Sequence, residues 1–179
     1  MVDSTGKDDY WYLKRHTQVK HDILSTYLER WASTLSGGRA RARVALHYVD
    51  GFAGRGKYRE GEPGSPLIAM QIGQRLHEYR SGNLNLSCYN VEQDLEHFQS
   101  LKREVDTARS QFPSVWVETF YGPFQNHSDL ILRRIPPSED TFVFIDPFGY
   151  RGVELAQVLK GLERRRSEVF ITFMSSYIG

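Results

Sequence analysis

The sequence predicts an α/β fold in which a mostly parallel β-sheet carries helices on both faces. Three observations support this prediction. Short apolar runs of strand length alternate along the chain with longer amphipathic segments of helical period. A glycine-rich segment directly follows the first apolar run, and acidic residues stand at the ends of several of these runs. Strands joined by helices at this spacing pair in parallel through right-handed crossovers, which is a Rossmann-like arrangement.

Five strands are predicted from runs rich in Val, Ile, Leu and aromatic residues, because such residues suit strands that are buried on both faces. Amphipathic helical segments separate these runs. The predicted strands cover about residues 44–49, 84–91, 115–120, 141–146 and 168–174.

The predicted helices have ordinary start and stop signals. The first ends at Gly37-Gly38, and Ser65-Pro66 starts the second, with Ser65 as its N-cap. Asp94 is predicted to cap the third. The remaining helices are expected around residues 95–105, 130–135 and 155–162. The apolar face of the first helix is predicted to contain Val19, Ile23, Leu24, Tyr27, Leu28 and Trp31.

The composition is that of one ordinary domain. A chain of 179 residues with 40% apolar and 25% charged residues can bury one complete core, and its net charge of +1 requires any basic surface to be a local patch. The single Cys88 excludes an internal disulfide. Because the chain has neither a run of about 20 apolar residues nor a signal-peptide core, we expect a cytoplasmic protein without a membrane partner. Residues 1–15 are expected to be a flexible N-terminus before a domain at 16–179.

A glycine-rich loop follows the first predicted strand, in the segment Tyr-Val-Asp-Gly-Phe-Ala-Gly-Arg-Gly that ends at Gly56. In an open parallel sheet, ligands bind beyond the carboxyl ends of the strands. Gly51, Gly54 and Gly56 allow bare backbone to approach such a ligand. We therefore predict a loop for a nucleotide-type cofactor beginning at Asp50, and a tight structural turn is the alternative.

The same segment nearly forms a phosphate-binding loop. A glycine, four residues, a second glycine and Lys57 match all but the last position of that pattern. Tyr58 stands where Ser or Thr must reach Mg²⁺, and residues 59–64 delay the helix whose N-terminus would face the phosphates. An NTPase is therefore disfavoured, although Asp146 at the end of an apolar strand would suit its second carboxylate.

Glu92 stands at the end of the second predicted strand. A carboxylate one βα unit after the glycine loop is placed to accept hydrogen bonds from the ribose hydroxyls of a nucleoside cofactor. A solvated acidic residue at the start of a helix is the alternative, because the first turn of a helix favours negative charge.

The fourth predicted strand ends in Asp146-Pro-Phe-Gly-Tyr150. The Asp146 carboxylate and the Pro147 carbonyl would accept the two N–H bonds of a planar exocyclic amine, while Phe148 or Tyr150 stacks on the base. Such a site works by positioning the nitrogen and by hydrogen bonds that strengthen as charge develops. A simple Asp-Pro turn with a following glycine is the alternative.

These segments together resemble the three-Cys-motif partner proteins, a bacterial and archaeal family with a class I methyltransferase-like fold that is encoded beside a radical-SAM-like protein bearing three cysteines. They are more distantly similar to the J-type 23S ribosomal RNA adenine-N6 methyltransferases. The resemblance covers most of the chain and implies S-adenosylmethionine as cofactor. It rests on Lys20-His21, the segment from Tyr48 to Tyr58, Gly64-Ser-Pro-Leu67 and Asp146-Pro-Phe-Gly149.

The resemblance to the J-type enzymes also implies roles for single residues. It assigns Asp146 to the target amine, with Pro147 and Phe148 beside it, and Lys20 to the substrate side. Phe148 replaces a proline of that family's tetrad, and Gly149 replaces an aromatic residue. A seven-stranded methyltransferase sheet implies two further strands, so we expect the domain to be incomplete at its C-terminus. The implied cofactor lining consists of His21, Phe52, Ser65, Glu92, Tyr121 and Gly122, beside the loop residues Asp50, Gly51, Gly54 and Gly56.

Two functions follow from these expectations. The first is methylation of a base amine in RNA or DNA with S-adenosylmethionine. The second is cofactor binding by a partner subunit of a three-cysteine radical-SAM-like protein, without base methylation. No metal site is expected, because the six histidines have no ligand spacing. A nucleic-acid partner also fits the basic and aromatic residues expected near the ligand edge. They are Lys14, Arg15, Lys20, Arg55, Lys57, Arg59 and Arg151, with Tyr12, Tyr58 and Tyr150 among them.

Overall fold

The computed structural model describes residues 12–37, 42–147 and 166–172. Within these residues five strands form one sheet, and each neighbouring pair is parallel, so the predicted α/β fold is confirmed. The strands are β1 (Val44–Asp50), β2 (Leu84–Glu92), β3 (Trp116–Tyr121), β4 (Asp140–Ile145) and β5 (Ser167–Ile171).

The strands lie in the order β3-β2-β1-β4-β5. The chain therefore moves outward from β1 to β3 and then returns to the other side of β1 for β4 and β5. In open sheets of this type, ligands bind beyond the carboxyl ends of the strands where the order reverses, which here is between β1 and β4. The register places Asp50, the last residue of β1, beside Asn90 of β2 and Phe144 of β4.

Helices cover both faces of the sheet. One core contains the inward faces of the first three helices with Tyr48 and Phe142, and the other contains Val49, Val143 and Ile131 of the fourth helix. No helix in residues 12–37, 42–147 and 166–172 is long and apolar enough to cross a membrane. The helices are α1 (Arg15–Gly37), α2 (Ser65–Tyr79), α3 (Leu95–Ala108) and α4 (Phe124–Arg134).

The start of α2 differs from the prediction in one respect. Gly64 is the N-cap and Ser65 is the first helical residue, so the prediction of Ser65 as N-cap was wrong. The Ser65 hydroxyl is hydrogen-bonded to the Asp50 carboxyl instead of to the helix backbone. Pro66 lies in the first turn as predicted, and Asp94 caps α3 by accepting a hydrogen bond of 2.9 Å from the backbone N–H of His97.

The buried face of α1 is narrower than the sequence predicts. Leu24, Leu28 and Trp31 are buried, whereas the other three apolar positions of that face are about half exposed. Tyr27 instead lies over β5, where its ring stacks on Phe170 at 6.1 Å between centroids. The half-exposed residues are Val19, Ile23 and Tyr27.

The boundaries of the other elements shift by a few residues. The strand predicted at 115–120 is observed at Trp116–Tyr121, and α4 begins at Phe124 because Pro123 serves as its N-cap. The predicted helix at 155–162, the helix stop at Gly38 and the part of the fifth strand beyond Thr172 lie outside the described residues.

Candidate functional site

Asp50 anchors the glycine-rich loop to the end of β1. Its carboxyl is fully buried and accepts hydrogen bonds of 3.1 Å each from the Phe52 backbone N–H and the Tyr48 hydroxyl. Burial raises the pKa of the Asp50 carboxyl to about 7, although hydrogen bonds from Ser65, Phe52 and Tyr48 act in the opposite direction. The chain therefore holds a proton-binding group under the loop that titrates near neutral pH.

Glu92 ties the same loop to the end of β2. One oxygen of its carboxylate accepts a hydrogen bond of 2.8 Å from the Gly54 backbone N–H. The other accepts one of 2.8 Å from the Asp94 backbone N–H. The side chain is buried, with 7% of its residue surface exposed. Glu92 thus holds the loop in register with β2, a role that the sequence interpretation of a ribose-binding carboxylate does not include.

Glycines are required at specific points of this loop. Gly54 and Gly56 have φ angles of +63° and +81°, which residues with a side chain rarely adopt. A Cβ on Gly56 would lie 3.2 Å from the Leu101 side chain, and one on Gly64 would lie 3.0 Å from the Gly56 carbonyl oxygen. The loop therefore lies directly against α3 and against Gly64, the N-cap of α2.

Asp146 follows β4 at the same edge and holds two donors on one oxygen. The Lys20 ammonium of α1 lies 2.6 Å from Asp146 Oδ1, and the Thr172 hydroxyl at the end of β5 donates to the same atom. No described residue donates a hydrogen bond to Oδ2. The Asp146 side chain keeps 18% of its surface exposed and lines the cleft, so this carboxylate is accessible to a ligand.

His21 of α1 lies between the loop and Asp146. It is 7% exposed, and its ring packs against Tyr58 with 5.7 Å between centroids. Burial lowers the pKa of His21, and the opposing field of Asp146 is the next cause in size. The imidazole is therefore neutral at pH 7. Burial also raises the pKa of Tyr58 to about 12, so the phenol next to it is a neutral hydrogen-bonding group.

A cleft joins these parts at the reversal point of the sheet. The cleft has a volume of about 60 Å³, so a nucleoside-sized ligand would extend beyond it along the open edge or require the loop to move. Its lining includes Arg55, Lys57 and Tyr58, which were expected near the ligand edge. Six of the predicted cofactor and catalytic residues also lie together in this lining. They are His21, Phe52, Gly54, Gly56, Ser65 and Asp146.

The other predicted residues occupy different places. Lys20 reaches the cleft through its contact with Asp146, whereas Tyr121 lies outside the lining, about half exposed, with its ring against Phe98 at 5.4 Å. The Gly122 backbone N–H donates to the Glu92 carbonyl at 2.9 Å. Asp50, Gly51 and Glu92 lie behind the lining, Pro147 is buried after Asp146, and Phe148 lies outside the described residues.

Sequence reasoning missed several residues of this edge. His97 lines the cleft, and Thr172 contacts Asp146. Asn90 is fully buried beside Asp50, and its side-chain amide has no hydrogen-bond partner among the described residues. A strand-end threonine and a buried asparagine have no sequence pattern of their own. Only the pairing of strands reveals their position.

Several of the basic residues expected near this edge pair with acids. Arg55 pairs with Glu96 at 2.9 Å, and Lys57 lies 4.0 Å from Glu104. The Arg59 guanidinium lies over the Tyr12 ring at 5.3 Å from its centroid. The Arg59–Tyr12 pair is the combination of cation and aromatic ring that the sequence suggested for nucleic-acid contact. The charges of Arg55 and Lys57, in contrast, are offset by the neighbouring carboxylates. Residues Tyr150 and Arg151 lie outside the described ranges.

Comparison of the chain with protein-family models, curated proteins and solved structures gives no match. The fold and the cleft define an α/β protein of Rossmann-like architecture with a candidate ligand site at the carboxyl ends of β1 and β4. Within residues 12–37, 42–147 and 166–172, no group of three or more His, Cys, Asp or Glu side chains is arranged to hold a metal ion.

Proposed function

We propose that this protein is an S-adenosylmethionine-dependent methyltransferase-like protein that acts on a base amine of RNA or DNA. The observation that carries the proposal is the position of Asp146, which lines the cleft formed by the glycine-rich loop and whose Oδ2 receives no hydrogen bond from the described residues. An ionised carboxylate only accepts hydrogen bonds, so its partner must be a donor such as an exocyclic amine.

The cofactor assignment rests on the loop and on Glu92. The loop exposes backbone at Gly54 and Gly56 on the cleft lining, where a nucleoside or an amino-acid tail can approach closely. Each Glu92 oxygen uses one lone pair for a backbone N–H and keeps a second for a ribose hydroxyl. A ligand can reach the loop glycines directly from the cleft. To reach Glu92, which is almost fully buried, it must displace the loop.

Methyl transfer at this site would depend on positioning. The amine nitrogen would donate to Asp146 and lie in line with the sulfonium methyl, so that the nitrogen lone pair forms the new N–C bond as the S–C bond breaks. When bound, S-adenosylmethionine would supply the methyl group and would leave as a neutral thioether, while the amine nitrogen would release a proton to water. The site then supplies orientation and hydrogen bonds that strengthen as positive charge develops on nitrogen.

The structure also bears on the two alternatives. A phosphate-binding loop runs directly into its helix, whereas α2 begins at Ser65, after a turn in which Tyr58 and Gly61 are hydrogen-bonded to each other at 3.1 Å. This delay disfavours an NTPase. The second candidate, a cofactor-binding subunit of a three-cysteine radical-SAM-like protein, shares the loop and needs no chemistry from Asp146.

Calorimetry and a transfer assay separate these proposals. We expect the full chain to bind S-adenosylmethionine and not ATP with Mg²⁺, and to transfer labelled methyl to mixed RNA and DNA. Asp146→Ala should abolish transfer while cofactor affinity changes little, whereas Asp106→Ala on the exposed side of α3 should leave both unchanged. Binding of ATP alone would contradict the cofactor assignment. Cofactor binding without transfer would favour the partner-subunit function.

A further inference from the structure

Thr172 is the residue that follows β5, and it faces the end of β4. Its backbone N–H donates to the Ile145 carbonyl at 3.0 Å, which extends the parallel pairing of the two strands by one residue. Its hydroxyl donates to Oδ1 of Asp146. We propose that Thr172 is a positioning residue that fixes the Asp146 carboxylate for the ligand, an inference that rests on the proposed function.

The argument starts from the acceptor capacity of a carboxylate. Each of its oxygens has two lone pairs. Lys20 and Thr172 together occupy both sites of Oδ1, and no described residue donates to Oδ2. A donor arriving from the cleft therefore binds Oδ2, and the rotation of the carboxylate about its Cβ–Cγ bond is fixed before the ligand arrives.

Lys20 alone would fix this rotation poorly. Its ammonium sits on four flexible methylene groups, and its side chain keeps 20% of its surface exposed. Thr172 instead has a β-branched side chain with few rotamers, and its backbone is held by β4. Lys20 therefore supplies a positive charge, and Thr172 fixes the orientation of the Asp146 carboxylate. Charge-assisted hydrogen bonds of both kinds are stronger than neutral ones.

The first test is kinetic. Thr172→Val keeps the shape of the side chain and removes the hydroxyl, so we expect methyl transfer to fall about 10- to 100-fold while the affinity for S-adenosylmethionine stays within about twofold. Thr172→Ser retains the donor and should restore most of the rate, which a purely steric role would not predict. Thr107→Val, at an exposed position of α3, is the matched control. An unchanged rate in Thr172→Val would overturn the inference.

A second measurement keeps the inference testable if the proposed function fails. If the wild-type chain binds cofactor without transferring methyl, this result refutes the methylation proposal but not the role of Thr172. In that case a double-mutant cycle of Thr172→Val and Asp146→Ala in the unfolding equilibrium decides the matter. We expect the effect of the double variant on the unfolding equilibrium constant to differ by about threefold or more from the product of the two single effects. Additive effects would show that the hydroxyl does not act on Asp146.

Discussion

The backbone N–H of Gly54 donates a hydrogen bond of 2.8 Å to the carboxylate of Glu92, a residue 38 positions further along the chain. This contact joins the loop after β1 to the end of β2, and the second Glu92 oxygen holds the Asp94 backbone N–H in the same way. One side chain therefore satisfies two backbone donors where the chain has no regular structure.

Replacement of Glu92 should reveal this role. In Glu92→Gln one of the two backbone donors faces an amide NH₂ group, so a partly buried N–H loses its acceptor. We expect the free energy of unfolding to fall by about 1–3 kcal/mol, measured by urea denaturation. Glu96→Gln is the control, because that carboxylate is exposed and its loss should change stability little. Equal stability of Glu92→Gln and wild type would show that the loop is held by other contacts.

Asp50 should make the stability of the protein depend on pH. Burial raises the pKa of its carboxyl from 3.8 to about 7 in the folded chain. The folded state therefore binds the proton more tightly than the unfolded state, and stability is lost as pH rises from about 4 through 7. Asp50→Asn keeps an acceptor for the Phe52 N–H but cannot ionise, and its NH₂ group would donate to the Tyr48 oxygen, which reverses the bond of the wild type.

The comparison of Asp50→Asn with wild type isolates this effect. The difference in unfolding free energy between the two proteins should change by about 4 kcal/mol between pH 4 and pH 8, with the wild type becoming relatively less stable. Urea denaturation at a series of pH values measures it. A constant difference across this range would mean that Asp50 titrates at an ordinary pH.

His21 should titrate below an ordinary histidine. Burial lowers its pKa from 6.5, so the folded state disfavours the proton and loses stability as pH falls below about 6.5. Asp146 raises the pKa of His21 and Lys20 lowers it. Asp146→Asn should therefore lower the measured pKa further, and Lys20→Met should raise it. An NMR titration of the imidazole resonances checks both signs, and shifts of the opposite sign would place His21 elsewhere.

Gly54 and Gly56 should differ in their tolerance of alanine. Both have positive φ, so each replacement strains the backbone by about 1–2 kcal/mol. A Cβ on Gly54 meets no atom within 4 Å, whereas one on Gly56 lies 3.2 Å from Leu101. We expect Gly56→Ala to lose about 1–3 kcal/mol more than Gly54→Ala in urea denaturation. Equal losses would mean that α3 moves aside without cost.

Much of this fold could be predicted because its elements are defined by local patterns. The apolar run at Val44–Asp50 ends at the glycine loop, and Asp94 caps its helix as expected. The predicted N-cap of α2 was wrong by one residue. The Ser65 hydroxyl is hydrogen-bonded to Asp50 instead, and that proximity depends on tertiary packing. In the same way the sequence shows six apolar positions on α1, but tertiary packing determines which of them are buried.

The sequence by itself determined the alternation of strands and helices, the glycine loop and the acidic residue at each of three strand ends. These features depend on side-chain type and on spacing along the chain. The tertiary structure decided what those residues contact: Glu92 holds Gly54, and Asp146 receives Lys20 and Thr172 from two other elements. Contacts between residues 38 and 126 positions apart arise from the strand order, and no local pattern encodes them.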